Sequence, residues 1–570
     1  ILHRNMGFIL LIACIIASLG FGIFHALLWR KKNFWIFLIH RPMSPQRICL
    51  SLLGAGVSTL LLTVFLSLFI TTLSYDVFTE KVVDLRHYQF IGYLFLVTVS
   101  CYLVGTLSVL HRSKFTLLIF YTLFIVFFPE PRNLLAQYLP LILLLPALVY
   151  LNIKSFKPDL KRPITSPLAI GLLGTGISYS LVIVLILATT LFYHFPMMIA
   201  GKHPDMNPVE GAMKKMWENN FENGVGYILQ NSNSEDAQHY ARQAALAERI
   251  ALPIQQWQAP RRHQFHRFDY RNAIVDPATK NIWKFSHDEM VLLGVDSLTS
   301  KRIGAIGRQG FISSVSHISD QDRFTEVPHL SEGQFLSTSN ALYSIDFDTR
   351  TLLLKHQLHA GEQYISSLWF EGEVGRISTS SQLLMFNRRT LYDDFSELVV
   401  DYRFTYPRSV ANAEMAYGLK VADGYLLVFI GENYFGFDRP GAEVFITRLD
   451  GTSEHLGARE FLIHDLPAWV RHYNFLVAPF IFVTEEWVLH TIDPFETRYL
   501  SAAQLQAQTY PAHILVIAAI LQIGSVVMLW FLLKRYVVTS GQRSTWLALG
   551  AVLGLPALLS YLVLQPLRRS

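Results

Sequence analysis

The stretch RKKNFWIFLIHRPMSPQRICLSLLGAGVSTLLLTVFLSLFITTLS, residues 30–74, contains the pattern that decides the fold of this chain. Its first part, residues 30–48, is a loop rich in Arg and Lys. Its second part, residues 49–74, is apolar and longer than the roughly 20 residues that a helix needs to cross a bilayer core of about 30 Å. A basic loop followed by such a run predicts a membrane-spanning helix whose basic flank faces the cytoplasm.

The same pattern recurs along the chain and predicts a polytopic α-helical membrane protein. Basic loops at 30–48, at Arg112 and Lys114, at 153–167 and at 534–545 fall on one side when the spans are counted alternately. By the positive-inside tendency that side is the cytoplasm, so residues 196–511 are expected in the periplasm of a bacterium, outside its inner membrane. Spans are predicted at 7–29, 49–74, 90–110, 115–128, 134–152, 168–195, 512–533 and 546–565.

Two parts of the predicted membrane block, the window 115–128 and the N-terminus, each allow two interpretations. The window 115–128 is short for a crossing and runs into Pro129 and Pro131, so a tilted or re-entrant segment is the alternative to a full crossing. The topology also puts Ile1 outside the cytoplasm, so we expect either a preceding piece with one more span or a cleaved signal peptide.

Composition supports a membrane protein and excludes several kinds of site. Hydrophobic residues make up 51% of the 570 residues, too many for an ordinary soluble protein of this size. The cysteines Cys14, Cys49 and Cys101 all lie in or beside predicted spans. The external part can therefore hold neither a disulfide framework nor a thiolate metal site.

The external block changes character along its length. Residues 197–271 include apolar and Ala residues at helical spacing, up to the segment SEDAQHYARQAALAERIAL, and predict a helical connector. From about residue 272 to 511, short apolar runs bounded by Gly, Asp, Asn and Ser predict an all-β domain. Two closing spans occupy 512–570, and a six-span block occupies 1–196.

A weak internal repeat runs through the β region. An apolar strand ends in Asp or Asn, a turn with Thr follows, and a second strand returns, because the carboxylate or amide can hydrogen-bond the backbone two residues on. The spacing of roughly 40 to 60 residues resembles one blade per repeat and favours a β-propeller, with a two-sheet sandwich as the alternative. The turn residues are Asp296, Asp346, Asn387, Asp450 and Asp493.

Motifs for catalysis are missing from the sequence. No P-loop string occurs, so an ATPase would have to be a separate subunit, and no zinc or calcium pattern indicates a metal. We therefore predict no catalytic residue and no cofactor bound by this chain. A cationic and aromatic cluster could form an anion-binding or partner surface, or more simply a solvated strand; it contains Arg261, Arg262, His266 and Arg267.

The loop 30–48 also contains a candidate functional segment. A basic start, an aromatic stretch and then Pro42 and Ser44-Pro45 predict a short helix along the cytoplasmic interface, followed by the start of the next span. A plain membrane-surface anchor would have the same pattern. The residues we expect to matter are Phe34, Trp35, Phe37, His40, Arg41, Pro42 and Arg47.

The string FWIFLIHRPMSPQRI resembles the cytoplasmic coupling segment of type-2 ABC transporter permeases. YLVGTLSVLHRSKFTLL, residues 102–118, is similar to a Gly-containing span of that family with its short basic turn. The resemblance covers roughly residues 7–195. It implies that the segment docks on a separate P-loop ATPase subunit with bound ATP-Mg, and that a second permease copy or homologue completes the transporter.

Two features depart from that family. A span normally precedes the coupling segment's own helix, and the external β domain with two trailing spans lies outside the common core. The function implied is the transmembrane subunit of an ATP-driven exporter whose periplasmic domain binds cargo or a periplasmic or outer-membrane partner. The alternatives are a membrane-anchored periplasmic propeller acting as a sensor or scaffold, or a quinone-linked dehydrogenase.

Overall fold

The structure is a computed structural model. It describes residues 6–40, 42–121, 123, 134–157, 164–203, 206–208, 210–212, 215–216, 220–253, 261–264, 273–331, 334–392, 397–406, 415–431, 441–462, 467–483, 510–536 and 539–565.

Long apolar helices dominate both ends of the chain. Six of the described helices are long and apolar enough to cross a bilayer, and they match six of the eight predicted windows. Of the window 115–128 the structure describes residues 115–121 and 123, which begin in a 3₁₀ turn, Lys114–Leu118. The helices are α1 (Met6–Trp29), α2 (Lys32–Ile39), α3 (Pro45–Phe78), α4 (Leu85–Leu110), α5 (Leu134–Ser155), α6 (Pro167–Ile199), α7 (Asn220–Leu229), α8 (Ala237–Ala244), α9 (Arg388–Tyr392), α10 (Ala468–Arg471), α11 (Tyr473–Val477), α12 (Ala512–Arg535), α13 (Ser540–Leu553) and α14 (Leu555–Leu564).

The last predicted span, 546–565, is broken in two. α13 ends at Leu553 and α14 begins at Leu555, with Gly554 between them at a φ of 62°. Pro556 in the first turn of α14 has no N–H to donate to the preceding helix. The apolar window alone could not predict this break, because Gly and Pro are both tolerated inside membrane helices.

α4 is the central helix of the bundle. In its most apolar 18 residues, 89% are buried inside the protein, far more than in any other candidate span among the described residues. It packs against α1 along its length and against α5. At 26 residues it is about 39 Å long, enough to connect the two ends of the bundle as one rod.

Two helices are longer than a bilayer requires. α3 has 34 residues and α6 has 33, which gives each a length of about 50 Å. Each contains a π-helical turn, Leu61–Leu66 in α3 and Thr190–His194 in α6. Such turns leave a backbone group without its usual partner and often occur at functional positions.

The β region consists of four separate antiparallel sheets, each built mainly from consecutive strands. The first sheet contains β2–β6, the second β7–β10, the third β11–β14, and the fourth β15–β18 with β1 at its edge. The strands are β1 (Arg249–Ala251), β2 (Ala273–Val275), β3 (Ile282–Ser286), β4 (Val291–Val295), β5 (Arg302–Gly307), β6 (Gly310–Ile312), β7 (His329–Leu330), β8 (Phe335–Ser337), β9 (Ala341–Asp346), β10 (Thr351–Gln357), β11 (Trp369–Glu371), β12 (Val374–Ser378), β13 (Gln382–Asn387), β14 (Tyr402–Thr405), β15 (Met415–Val421), β16 (Gly424–Gly431), β17 (Gly441–Arg448) and β18 (Ser453–Glu460).

The four sheets pack face to face in chain order. Separate apolar clusters fill the spaces between the first and second, the second and third, and the third and fourth sheets. The outer face of the fourth sheet is covered by α7 and α8, and that of the first sheet packs on Val82, between α3 and α4.

Over the described residues the sheets therefore form an open row and do not close into a propeller. The β region does consist of separate antiparallel sheets, two with four strands and two with five, but the propeller expected from the sequence is not seen in these residues. A two-sheet sandwich is also not what the described strands form.

The N-terminal edge of the β region starts earlier than its sequence indicates. The segment ending in AERIAL was expected to be helical, but α8 ends at Ala244 and Arg249–Ala251 is a strand. This strand pairs with β15, about 165 residues later in the chain, through Ile250 opposite Gly418. A partner so distant in sequence overrides the local helical propensity of the Ala-rich segment.

The turn chemistry predicted from the repeat is confirmed at four positions. The Asp346 carboxylate accepts from the backbone N–H groups of Asp348 and Thr349, at 2.9 and 3.1 Å. Asp296, Asn387 and Asp450 each accept from the N–H two residues on. Asp493 lies outside the described residues. A fifth turn of this kind, at Asp276, was missed because its strands are short.

These turns make the β region sensitive to acid. Hydrogen bonds hold the pKa of Asp346 below its ordinary value, mainly the one from the Thr349 hydroxyl. A lowered carboxylate pKa contributes stability at pH values above the pKa of the unfolded chain, about 3.9, and that contribution is lost as the pH falls through the folded pKa.

We therefore expect Asp346→Asn, which keeps an acceptor but cannot titrate, to flatten the fall in thermal stability between about pH 4 and 2. Thermal unfolding followed by circular dichroism at a series of pH values measures this. The exposed Asp348 lies in the same turn, and Asp348→Asn is the matched control. Equal acid sensitivity in Asp346→Asn and the unmodified protein would contradict the prediction.

Candidate functional site

The basic loops meet at one end of the bundle, which we call the basic end. The Arg30 guanidinium donates to the Val109 carbonyl at 2.9 Å, so the end of α1 is joined to the end of α4. The Trp35 ring of α2 lies 5.1 Å from the Phe156 ring, which follows α5. The Gln542 amide of α13 donates to the Ile164 carbonyl just before α6. Loops distant in sequence thus share one surface, as the alternation of spans predicted.

α2 lies at the basic end as a short amphipathic helix. Leu38 is buried and Trp35 packs on the bundle, whereas Phe34 and Phe37 are each 56% exposed. The helix ends at Ile39, three residues before Pro42, as the sequence predicted. Two large exposed aromatic rings on one short helix form an apolar surface. Contact of such a surface with water is unfavourable, and exposed apolar patches often mark interaction sites.

The segment after α2 leads directly into α3. Ser44 is the N-cap, its hydroxyl accepts from the Arg47 N–H at 3.4 Å, and Pro45 opens the helix, which confirms the predicted start. His40 and Arg47 are exposed, like Pro42. Arg41 lies outside the described residues. The predicted coupling residues that the structure describes are thus brought together on one side of the bundle.

The opposite end of α4 contacts the first sheet, and we call this contact the junction. Asp84, the N-cap of α4, is fully buried. Its carboxylate accepts from the Ser286 hydroxyl at 2.8 Å and from Arg86 Nε at 3.1 Å. A buried carboxylate therefore bonds at once to the membrane helix and to the sheet.

Three further contacts extend the junction. The Leu85 N–H donates to the Asp288 carboxylate at 3.0 Å, so the turn between β3 and β4 covers the first turn of α4. The Arg302 guanidinium donates to the Glu80 carbonyl at 3.1 Å. Val82 packs into the outer face of the first sheet. The sheet is thereby held to α4 by polar and apolar contacts together.

Burial sets the charge balance of the junction. It lowers the pKa of Lys284, and the nearby Arg86 guanidinium lowers it further, while Asp84 acts in the opposite direction. Burial also raises the pKa of Asp288, against the hydrogen bond from Leu85. Lys284 therefore depends on its charged neighbours, whereas the Asp288 side chain stays 39% exposed.

The cationic cluster near residue 261 lies beside the junction. Arg262 Nε donates to the His287 carbonyl at 2.9 Å, and Arg262 Nη2 donates to the Asp288 carbonyl at 2.5 Å. The Arg261 N–H donates to Gln264. His266 and Arg267 lie outside the described residues. Arg262 thus has a structural role, and the anion-binding surface stays a prediction.

The sequence did not single out Asp84, Arg86 or Lys284. The signal was the short polar string DLRH at 84–87, directly before an apolar window, where a buried charge pair is costly and has to be compensated. Among the residues that the structure describes, no three His, Cys, Asp or Glu side chains cluster as metal ligands would.

Comparisons with known proteins give little information about the fold or function of this chain. No family model and no curated protein matches this chain. Among solved structures, the crystal structure of S. cerevisiae core factor matches at 11% identity with a TM-score of 0.19. The match covers 34% of this chain and 31% of that one, so this chain spans less than a third of its length. A likeness this weak carries no argument about fold or function.

Proposed function

We propose that this chain is the transmembrane subunit of an ATP-driven ABC exporter in a bacterial inner membrane. A separate P-loop ATPase subunit would bind ATP-Mg and dock on α2, and a second permease copy or homologue would complete the pore. The β domain would bind cargo or a periplasmic or outer-membrane partner. The observation that carries the proposal is the exposed aromatic surface of α2, at the end of the bundle opposite the β domain.

A series of contacts that could transmit a movement of α2 to the β domain supports this proposal. α2 packs through Trp35 on Phe156, and Arg30 bonds to the last turn of α4. α4 then continues unbroken to Asp84 at the junction. Displacement of α2 by a partner would therefore reach the first sheet through one buried helix.

The two long helices give the bundle places to bend. A π-helical turn in α3 and another in α6 weaken the regular hydrogen-bond ladder locally. α3 follows the segment 40–44 directly, so movement of α2 acts on it first. We assign these turns as the positions where the two helices change shape during transport.

If the ATPase subunit docks on α2, removal of the exposed aromatic rings of α2 should weaken its binding. In the double variant Phe34→Ala and Phe37→Ala, the ATPase subunit should co-purify from mild detergent at about one tenth of its normal yield or less, since buried aromatic side chains are frequent hot spots of interfaces. Thermal stability should hardly change, because both rings are exposed.

Phe24→Ala is the matched control, since Phe24 is 60% exposed but lies on α1, away from the proposed docking surface. It should leave the yield of the ATPase unchanged. If the double variant retained the ATPase as well as the control did, α2 would be only a membrane-surface anchor and the exporter role would be lost.

A further inference from the structure

A groove opens on the surface of the bundle between α1 and residues 114–121, which follow α4. It has a volume of about 400 Å³, within the range of about 300–1,000 Å³ usual for pockets that hold small molecules. Leu19 of α1 forms one wall, and aromatic and leucine side chains of residues 115–121 form the other. Lys114 is the only charged residue in the described lining, so the groove is apolar except at one place.

The groove has about the depth of one bilayer leaflet. Lys114 lies at the basic end, where its ammonium group contacts the Ser108 carbonyl in the last turn of α4. Leu19 precedes Trp29, the last residue of α1, by ten residues, or about 15 Å along the helix. A bilayer core is about 30 Å thick, so a groove between Lys114 and Leu19 extends over about half of it. An acyl chain of one leaflet occupies the same depth.

Two exposed cations converge at the basic end of this groove. Lys114 Nζ donates to the Val109 carbonyl oxygen at 3.4 Å, and Arg30 Nη1 donates to the same oxygen at 2.9 Å. A guanidinium group has five N–H donors and an ammonium group has three, so contacts to uncharged carbonyls use only part of them. An oxyanion can therefore bind both side chains while the contact between α1 and α4 is kept.

No acidic side chain among the described residues balances these two charges. None of the ion pairs found there includes Arg30 or Lys114. Up to residue 121 the described acidic residues are Asp76, Glu80 and Asp84, which lie at the opposite end of the bundle. Burial lowers the pKa of Lys114, and the charge of Arg30 lowers it further. The electrostatic field at the basic end of the groove therefore favours an anion.

We propose that this groove binds an anionic phospholipid of the leaflet at the basic end. The lipid phosphate accepts charge-assisted hydrogen bonds from Lys114 and Arg30, and one acyl chain lies along Leu19 and the aromatic wall. A free anion would leave the apolar groove empty, and an uncharged chain would leave the two charges unbalanced, whereas an anionic phospholipid fits both parts. The site does not depend on the ATPase subunit proposed above.

Binding can be measured on the full chain, purified in detergent and stripped of lipid, with the Kd taken from the shift in thermal unfolding. The probes are dioctanoyl phosphatidylglycerol, dioctanoyl phosphatidylcholine and glycerophosphoglycerol, which is the first head group without acyl chains. We expect phosphatidylglycerol to bind about 10-fold more tightly than either of the others. Lys114→Ala should weaken its binding by about 10-fold, while Lys114→Arg should stay within about 3-fold of the unmodified protein.

Leu117→Trp tests the apolar part of the site. Leu117 lines the groove and is 39% exposed, so a larger ring fills the groove without entering the core of the bundle. This variant should weaken the binding of phosphatidylglycerol by about 10-fold and leave the unfolding temperature without lipid nearly unchanged. It also keeps the test valid if Lys114→Ala fails to fold.

Lys154→Ala is the matched control for the loss of charge. Lys154 lies at the basic end on α5, over the Tyr150 ring and outside the described lining of the groove. This variant should bind phosphatidylglycerol normally, and an equal loss in it would show only a general attraction of lipid to the basic end. Equal binding of phosphatidylcholine or of glycerophosphoglycerol would overturn the site, as would normal binding by Lys114→Ala or by Leu117→Trp.

Discussion

Asp84→Ala should lower the free energy of unfolding by about 3–5 kcal/mol, the usual effect of removing one partner from a buried ion pair. Asp84 is fully buried, and its carboxylate bonds to both Arg86 and Ser286. Without it, the guanidinium of Arg86 stays buried close to the ammonium group of Lys284. Denaturant titration of the protein in detergent micelles, followed by circular dichroism, gives the difference.

An exposed ion pair serves as the control for this loss of stability in Asp84→Ala. Arg389 and Glu373 are 3.3 Å apart but 82% and 63% exposed, so Glu373→Ala should cost less than about 1 kcal/mol. Replacing both buried partners, Asp84→Leu with Arg86→Met, should recover much of the stability. Apolar side chains leave no buried charge that needs an ionic partner. A loss in Asp84→Ala no larger than that in Glu373→Ala would show that the junction does not depend on this carboxylate.

The sequence predicted the local features of the molecule well. Apolar windows predicted six of the helices, since the length of a membrane helix follows from bilayer thickness. The cap at Ser44-Pro45 and the turns at Asp296 and Asp346 were also predicted, because a side chain that bonds two or three residues on acts within its own segment. Such features need no knowledge of the rest of the chain.

The features that depend on distant contacts were missed. The repeat predicted small antiparallel sheets, but the propeller inferred from it is not seen among the described strands, since closure depends on which face of the outer sheets is covered. Strand β1 has its partner in β15, and Asp84 has its partner in Ser286. Of the candidate site, the amphipathic form of α2 followed from the sequence, whereas its packing on Phe156 did not.

The crossing of α1 and α4 should be the most sensitive packing position in the bundle. Ser18, Gly22 and Ala26 of α1 are buried at a spacing of four residues, and they form a small-residue face of the kind that brings membrane helices close together. A Cβ atom on Gly105 would lie 2.5 Å from the Leu19 carbonyl oxygen, and one on Gly22 would lie closer still to that of Tyr102. Backbone atoms cannot rotate away, so the helices themselves would have to separate.

Gly22→Leu should therefore cost at least the upper part of the 1–3 kcal/mol usual for overpacking, about 3 kcal/mol, in the same denaturant titration. Gly20→Leu is the matched control, because Gly20 lies on the same helix with no atom within 4 Å of its would-be Cβ. It places the same side chain on the exposed face of α1 and should leave stability nearly unchanged. Since α4 joins the basic end to the junction, a chain that acts as the proposed exporter subunit should also lose transport in Gly22→Leu but not in Gly20→Leu. Equal stability of the two variants would mean that α1 and α4 are not in close contact, and the proposed series of contacts would then lose its central element.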